Sequence, residues 1–126
     1  MLSVVIPTRN RARILRKNIE VLESYGVDEI IVIDGASTDA TPILMKQLTE
    51  LYCNIKYIRS QKREGSPLAR NVGLDNARGD IILMLDDDMI LQSRGSIDAI
   101  TEDFELIKWL GIIGGVVTDV LKPRID

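Results

Sequence analysis

The chain has 126 residues, 45% of them apolar and 28% charged, and a net charge of −3. That is enough for one domain with a real core, expected over residues 1–126. The weak acidity gives no argument for nucleic-acid binding. The absence of histidine excludes His-based catalysis and any His zinc site, and the lone Cys53 excludes an intrachain disulfide.

Leu2 to Ile6 reads as a first strand, stopped by Pro7. Arg11 to Ser24 has helical spacing, with Ile14, Leu15, Ile19 and Leu22 on one face and Tyr25-Gly26 as the exit. Glu29 to Ile33 is an almost purely β-branched second strand. Asp39 or Thr41 caps the next helix, with Pro42 in its first turn and Ile43, Leu44, Leu48 and Leu51 as its apolar face. Cys53 follows as a small core or boundary residue. Ile55 to Ile58 is a short third strand, and Ser60 to Gly65 a polar loop. Ser66 caps a helix from Pro67 to about Ala77, closed by Gly79. Ile81 to Leu85 is a fourth strand. Ser93 or Ser96 opens a helix ending near Trp109, and Gly111 to Val117 is a last strand broken by Gly114-Gly115.

Continuous apolar strands alternating with helices predict an α/β fold, a Rossmann-like three-layer α/β/α arrangement with a mainly parallel sheet. Ligands of such sheets bind beyond the carboxyl ends of the strands, where strand order reverses. Three loops are therefore informative: Pro7-Thr8-Arg9-Asn10, Asp34-Gly35-Ala36-Ser37-Thr38-Asp39 and Asp86-Asp87-Asp88. The basic residues around them are read mostly as solvated faces, although Arg9 and Arg11 fall in a strand-to-helix loop within reach of phosphate.

The aspartate triplet carries the most chemistry. Along an extended chain Asp86 and Asp88 project to one side. Two carboxylates about 4 Å apart repel by roughly 4 kcal/mol at an effective dielectric of 20. A hard divalent cation, Mg²⁺ or Mn²⁺, relieves that repulsion and leaves positions for phosphate oxygens. A solvated acidic turn capping the next helix accounts for the triplet equally well on its own. Asp34, ending a buried strand, can accept from a base N–H or a ribose hydroxyl, or can close an Asx-turn on its own loop. Its opening onto the expected crevice favours ligand contact. Arg70 suits either a diphosphate or an ion pair with Asp34 or the triplet.

Taken in order, Val4-Val5-Ile6-Pro7-Thr8-Arg9-Asn10, Ile33 to Thr41, Ala69 to Asp80 and Leu85-Asp86-Asp87-Asp88 resemble the nucleotide-binding half of family 2 glycosyltransferases with the GT-A fold. The likeness covers nearly the whole chain. It implies inverting transfer of a sugar from a nucleotide-diphosphate donor, UDP- or GDP-linked, to an acceptor hydroxyl. It places Pro7, Thr8, Asn10, Asp34, Arg70 and Asp86 at the donor, and the Mg²⁺ or Mn²⁺ on Asp88 and Asp86. Asp87 faces away and braces the loop. Asn71 and Gly73 are packing residues, and Arg78 is a charge at a helix end. Many relatives carry a second aspartate where this chain has Gly35, which leaves the nucleobase open. The general base is expected in an acceptor-binding half beyond the chain end, so the chain alone is expected to bind donor and transfer poorly.

No stretch is long and apolar enough to span a membrane and no secretory signal opens the sequence, so a cytoplasmic setting is expected, with peripheral membrane association through a lipid-linked acceptor. Two other readings stand beside this one. A nucleotidyltransferase of related fold would need a Gly-rich loop after the first strand, and Pro7 to Arg11 has no glycine. A non-catalytic interaction domain, homodimerising through the Gly114-Gly115 strand edge, is the other.

Overall fold

A computed structural model describes residues 1–63 and 65–115. Eight elements alternate: β1 (Leu2–Thr8), α1 (Ala12–Ser24), β2 (Glu29–Asp34), α2 (Thr41–Leu51), β3 (Ile55–Arg59), α3 (Ser66–Asn76), β4 (Ile81–Met84) and α4 (Arg94–Leu106). The strands form one parallel sheet in the order β3-β2-β1-β4. The chain builds outward from β1 to β3, then returns to lay β4 against the other side of β1. Strand order therefore reverses between β1 and β4.

Side-chain alternation divides the core into two layers. Val4, Ile6, Ile30 and Val32 face Leu15, Ile19 and Leu22 of α1 and Leu44, Met45 and Leu48 of α2. Val5, Ile31 and Ile33 face Ala69 and Val72 of α3 on the other side. Gly73 permits that second contact, since a Cβ there would lie 2.2 Å from Cγ1 of Val5. The expected three-layer α/β/α arrangement is present.

Several local expectations are corrected. Pro7 does not stop β1, which runs on to Thr8 and pairs Pro7 with Ile33. Val5 O accepts from Leu85 N and Thr8 O from Gly35 N, so alternation turns the Pro7 backbone toward the β4 side. The β4 ladder has ended there, at Val5–Met84, and no donor is required. On α1 and α2 the exposed Ile14, Ile43 and Leu51 give way to buried Asn18 and Met45. The N-cap of α3 is Gly65 rather than Ser66, and α3 ends at Asn76. Gly79 instead lets the chain pass Ser3, where a Cβ would approach the Ser3 backbone nitrogen to 2.7 Å. Asn71 and Cys53 are exposed rather than packed. β4 is only half-buried along its length, as an edge strand among the described residues. Residues 111–115 form no strand, and the rest of the predicted last strand lies outside the described residues.

Away from the carboxyl ends, Glu29 is buried at the start of β2. It accepts from the Ser3 hydroxyl, from Arg78 N at 3.0 Å and from Arg78 Nε at 2.8 Å. Burial alone would push this carboxyl up, but those hydrogen bonds outweigh it and the net direction is down. Arg78 is thus the partner of a buried acid rather than a helix-end charge.

Candidate functional site

A cleft of about 630 Å³ opens at the carboxyl ends of β1 and β4, at the reversal of strand order. Pro7, Thr8, Arg9 and Arg11 line it from β1 and the loop after it, and Gly35 from the loop after β2. Arg63, Gly65, Ser66, Ala69 and Arg70 line it from the approach and first turns of α3, and Asp86, Asp87 and Asp88 from the loop after β4. A smaller cavity, about 390 Å³, lies at the opposite pole beside Met1, Asp28 and Arg94, and holds none of the three informative loops.

The triplet follows the end of β4 as a turn, in which Met89 N donates to Asp86 O at 3.0 Å. Asp87 is buried, while Asp86 and Asp88 are exposed. The Thr8 hydroxyl donates to Asp87 Oδ2 at 2.8 Å, and Arg11 Nη1 donates to Asp87 Oδ1 at 3.2 Å and to Asp88 Oδ2 at 2.9 Å. Burial pushes the Asp87 carboxyl above its ordinary range, with Asp88 adding repulsion. The Thr8 hydroxyl and the Arg11 guanidinium pull the other way without cancelling the rise. The Arg11 guanidinium is pushed up by its hydrogen bond to Asp88 and by the charges of Asp87 and Asp88. Asp87 thus turns inward and braces the loop, as expected, and Thr8 spends its hydroxyl on that brace.

Beneath the turn sits Asn18, fully buried on α1. Its Nδ2 donates to Met89 O at 2.9 Å, with Asp86 O and Asp87 O each at 3.4 Å. A polar side chain inside the apolar stripe of α1 is the sequence signal that marks it. On the cleft side, Arg70 Nη2 pairs with Asp86 Oδ1 at 2.7 Å. Of the alternatives open for Arg70, the structure contains the ion pair with the triplet.

Asp34 is not among the residues that line the cleft. It is fully buried at the end of β2. One oxygen accepts from Ser37 N at 2.9 Å and from the Ser37 hydroxyl, closing the Asx-turn. The other accepts from the Tyr57 hydroxyl and faces Arg59 Nε at 3.6 Å. Burial, together with the Asp34 hydrogen bond and charge, pushes the Tyr57 hydroxyl well above its ordinary value. Arg59 is the register partner of Asp34 on β3 and Tyr57 lies two residues before it, a cross-strand relation that sequence order does not reveal.

Asn10 also belongs to the frame of this loop. Its backbone takes a positive φ of 52°, which asparagine tolerates. Its Oδ1 accepts from Thr38 N at 2.7 Å and Asp39 N at 3.3 Å, and its own N–H donates to the Ser37 hydroxyl. Asp39 Oδ1 accepts from Thr41 N at 2.9 Å, and its Oδ2 from Ala12 N, bridging the starts of α1 and α2. Arg9 Nη1 donates to Gly35 O at 2.9 Å. Pro7 and Thr8 therefore line the cleft directly, whereas Asn10 and Asp34 shape its rim through the loop after β2.

Among the described residues, no three His, Cys, Asp or Glu side chains are grouped to enclose an ion. Asp86 and Asp88 can each contribute one carboxylate, and their further lone pairs remain available for coordination beside the arginine contacts. Hard oxygen donors in that number suit a cation whose remaining positions are filled by phosphate and water.

The sequence pattern of Glycosyl transferase family 2 matches residues 3–105. A GalNAc(5)-diNAcBac-PP-undecaprenol beta-1,3-glucosyltransferase of Campylobacter jejuni is 38% identical over 90 residues, 69% of this chain and 29% of that protein. The structure of TarS 1-349 from S. aureus in complex with UDP matches with a TM-score of 0.72 at 27% identity, covering 82% of this chain and 32% of the other. The mannosyltransferase PcManGT from Pyrobaculum calidifontis, in complex with GDP-Man and Mn²⁺, shares the fold at a TM-score of 0.75 and 24% identity, covering 82% of this chain and 32% of the other. The chain spans about a third or less of the length of the curated relatives it matches.

Proposed function

The chain belongs to glycosyl transferase family 2, and from that premise we propose that its cleft binds a nucleotide-diphosphate sugar together with Mg²⁺ or Mn²⁺ for inverting transfer to an acceptor hydroxyl. One observation carries the reading. Two exposed carboxylates, Asp86 and Asp88, share a cleft with Arg11, Arg63 and Arg70 at the reversal of strand order. Acidic and basic groups on one wall suit a ligand that is itself a cation bound to a polyanion.

Asp86 and Asp88 are the residues that would hold the cation. When bound, a divalent cation neutralises charge on the departing diphosphate. This chain's own residues prepare that site. Asn18 fixes the carbonyls of the turn, and Thr8 and Arg11 hold Asp87 inward. The turn therefore presents Asp86 and Asp88 without rearranging its backbone. Pro7, Thr8 and Gly35 wall the cleft, and the loop frame of Asn10, Asp34, Ser37 and Tyr57 fixes the position of Gly35. We assign no residue of the cleft as the general base: Asp87 is buried behind the other two carboxylates, and both of those are assigned to the cation.

UDP in the TarS complex and GDP-Man in the PcManGT complex support a diphosphate donor for this chain, with the base left between uracil and guanine. The C. jejuni relative is named for an undecaprenol-linked substrate. We extend that to a lipid-linked acceptor and peripheral contact with a membrane. Among the described residues no helix is long and apolar enough to cross one. Calorimetric titration with UDP and GDP, each with and without Mn²⁺, tests the proposal. Binding of one nucleotide that strengthens with Mn²⁺ is expected. Failure of both nucleotides to bind in the presence of Mn²⁺ removes it.

A further inference from the structure

The cleft carboxylates are engaged by arginines of the same cleft. Arg70 bonds Asp86 at 2.7 Å, and Arg11 bonds Asp88 at 2.9 Å. A guanidinium so placed lies close to where a cation shared by Asp86 and Asp88 would put its positive charge. Cation and guanidinium cannot both neutralise one carboxylate without repelling each other. All four side chains are substantially exposed, so these ion pairs are weak and exchange easily. The inward carboxylate is different. Asp87 keeps the Thr8 hydroxyl whatever Arg11 does, so the turn does not collapse when Arg11 leaves.

We propose that Arg70 and Arg11 are exchangeable counter-ions. They hold Asp86 and Asp88 until a divalent cation arrives, and the released guanidiniums then take the donor's diphosphate. The inference rests on reading the cleft as a metal–nucleotide site. It adds residue roles to that reading, with Arg11 as a second diphosphate ligand and with coupling built into the pair. Arginine suits the exchange because its planar fork bonds carboxylate and phosphate oxygens in the same geometry. The cation and the nucleotide should then bind cooperatively, since each removes an obstacle to the other.

The test measures two affinities by calorimetry on this chain: Mn²⁺ alone, and UDP or GDP at saturating Mn²⁺. The variants are Arg70→Gln and Arg11→Gln. Arg16→Gln is a control on α1, where Arg16 pairs with Glu20 outside the cleft. Thermal melting confirms that each variant folds. The two cleft variants are expected to bind Mn²⁺ alone about two- to fivefold more tightly, because a competing counter-ion is gone. They are expected to bind the nucleotide about tenfold or more weakly, because a charge-assisted bond to phosphate is gone. Opposite signs for the two constants are the signature. A purely structural role would weaken both, and that result, or an unchanged Mn²⁺ affinity, overturns the exchange. If the unmodified chain binds neither nucleotide with Mn²⁺, the metal–nucleotide reading itself falls. Normal binding by the unmodified chain with same-sign changes in the variants defeats only the exchange.

Discussion

Gly73→Ala is the most discriminating single substitution in the fold. A Cβ at Gly73 would stand 2.2 Å from Cγ1 of Val5 and 3.3 Å from both its Cβ and its Cγ2. Ordinary contact begins at 3.4 Å, so α3 must lift or Val5 must turn. Val5 is fully buried in mid-sheet and β-branched, hence stiff at χ1. Overpacking of this kind costs about 3 kcal/mol at the upper end of its usual range. The gain in helix propensity on replacing glycine by alanine returns about 1 kcal/mol. The net expectation is a loss of about 2 kcal/mol, read by urea unfolding. Val5→Ala alone should cost roughly 2 kcal/mol, from two lost methyl groups and a partly relaxed cavity. In the double variant the 2.2 Å clash with Cγ1 is gone, only the 3.3 Å approach to Cβ remains, and the new methyl group fills part of the space, so the two losses should not add. The double variant is expected to be about as stable as Val5→Ala by itself. Additive losses, or a Gly73→Ala chain as stable as the original, would refute the close-approach account of α3. They would also undercut the placement of Arg70, which α3 carries to the cleft wall.

Two titrations probe the frame around the site. Tyr57 should ionise above the ordinary tyrosine value of 10.0, because it is partly desolvated and donates to Asp34. Its contribution to stability is fully present below that value and is lost as pH rises through the folded-state pKa. Spectrophotometric titration should show a late component that Tyr57→Phe abolishes, and the variant should lose about 1 kcal/mol at neutral pH. An unchanged alkaline limb in the variant would remove Tyr57 from the Asp34 frame. Glu29 works with the opposite sign. Its folded pKa lies below the ordinary 4.5, so its stabilisation is present above that value and is lost as pH falls. Arg78→Gln should cost about 1 kcal/mol at pH 7, well short of a fully buried pair because Arg78 is largely exposed. The gap between variant and parent, measured by denaturant unfolding, should narrow below pH 4.5. A gap independent of pH would place the effect elsewhere.

Much was legible in the linear order of residues. Period-two apolar runs and helical stripes located seven of the eight elements to within two residues or so, and the fourth helix from its start. They did so because burial is the main local pressure on residue choice, and it follows the geometry of each element. Continuous apolar strands implied a parallel sheet and so placed ligand chemistry at the carboxyl ends, where the cleft lies. The inward turn of Asp87 was also anticipated from its place between two outward carboxylates.

What a side chain does once it arrives depends on the neighbours that tertiary packing brings, and those come from distant strands. In the sequence Asp34 suits a ligand contact or an Asx-turn, and Tyr57 and Arg59 reach it from β3 across a parallel pairing that strand order alone creates. Arg70 left two readings open in the sequence, and only the proximity of α3 to the end of β4 put it on Asp86. Asn18 and Arg11 hold the triplet from 68 or more positions away in the chain. The sequence determined the elements because each one's apolar period is written within a few consecutive residues. The division of the polar side chains between cleft and scaffold was decided by contacts between segments far apart, where no local period carries the information.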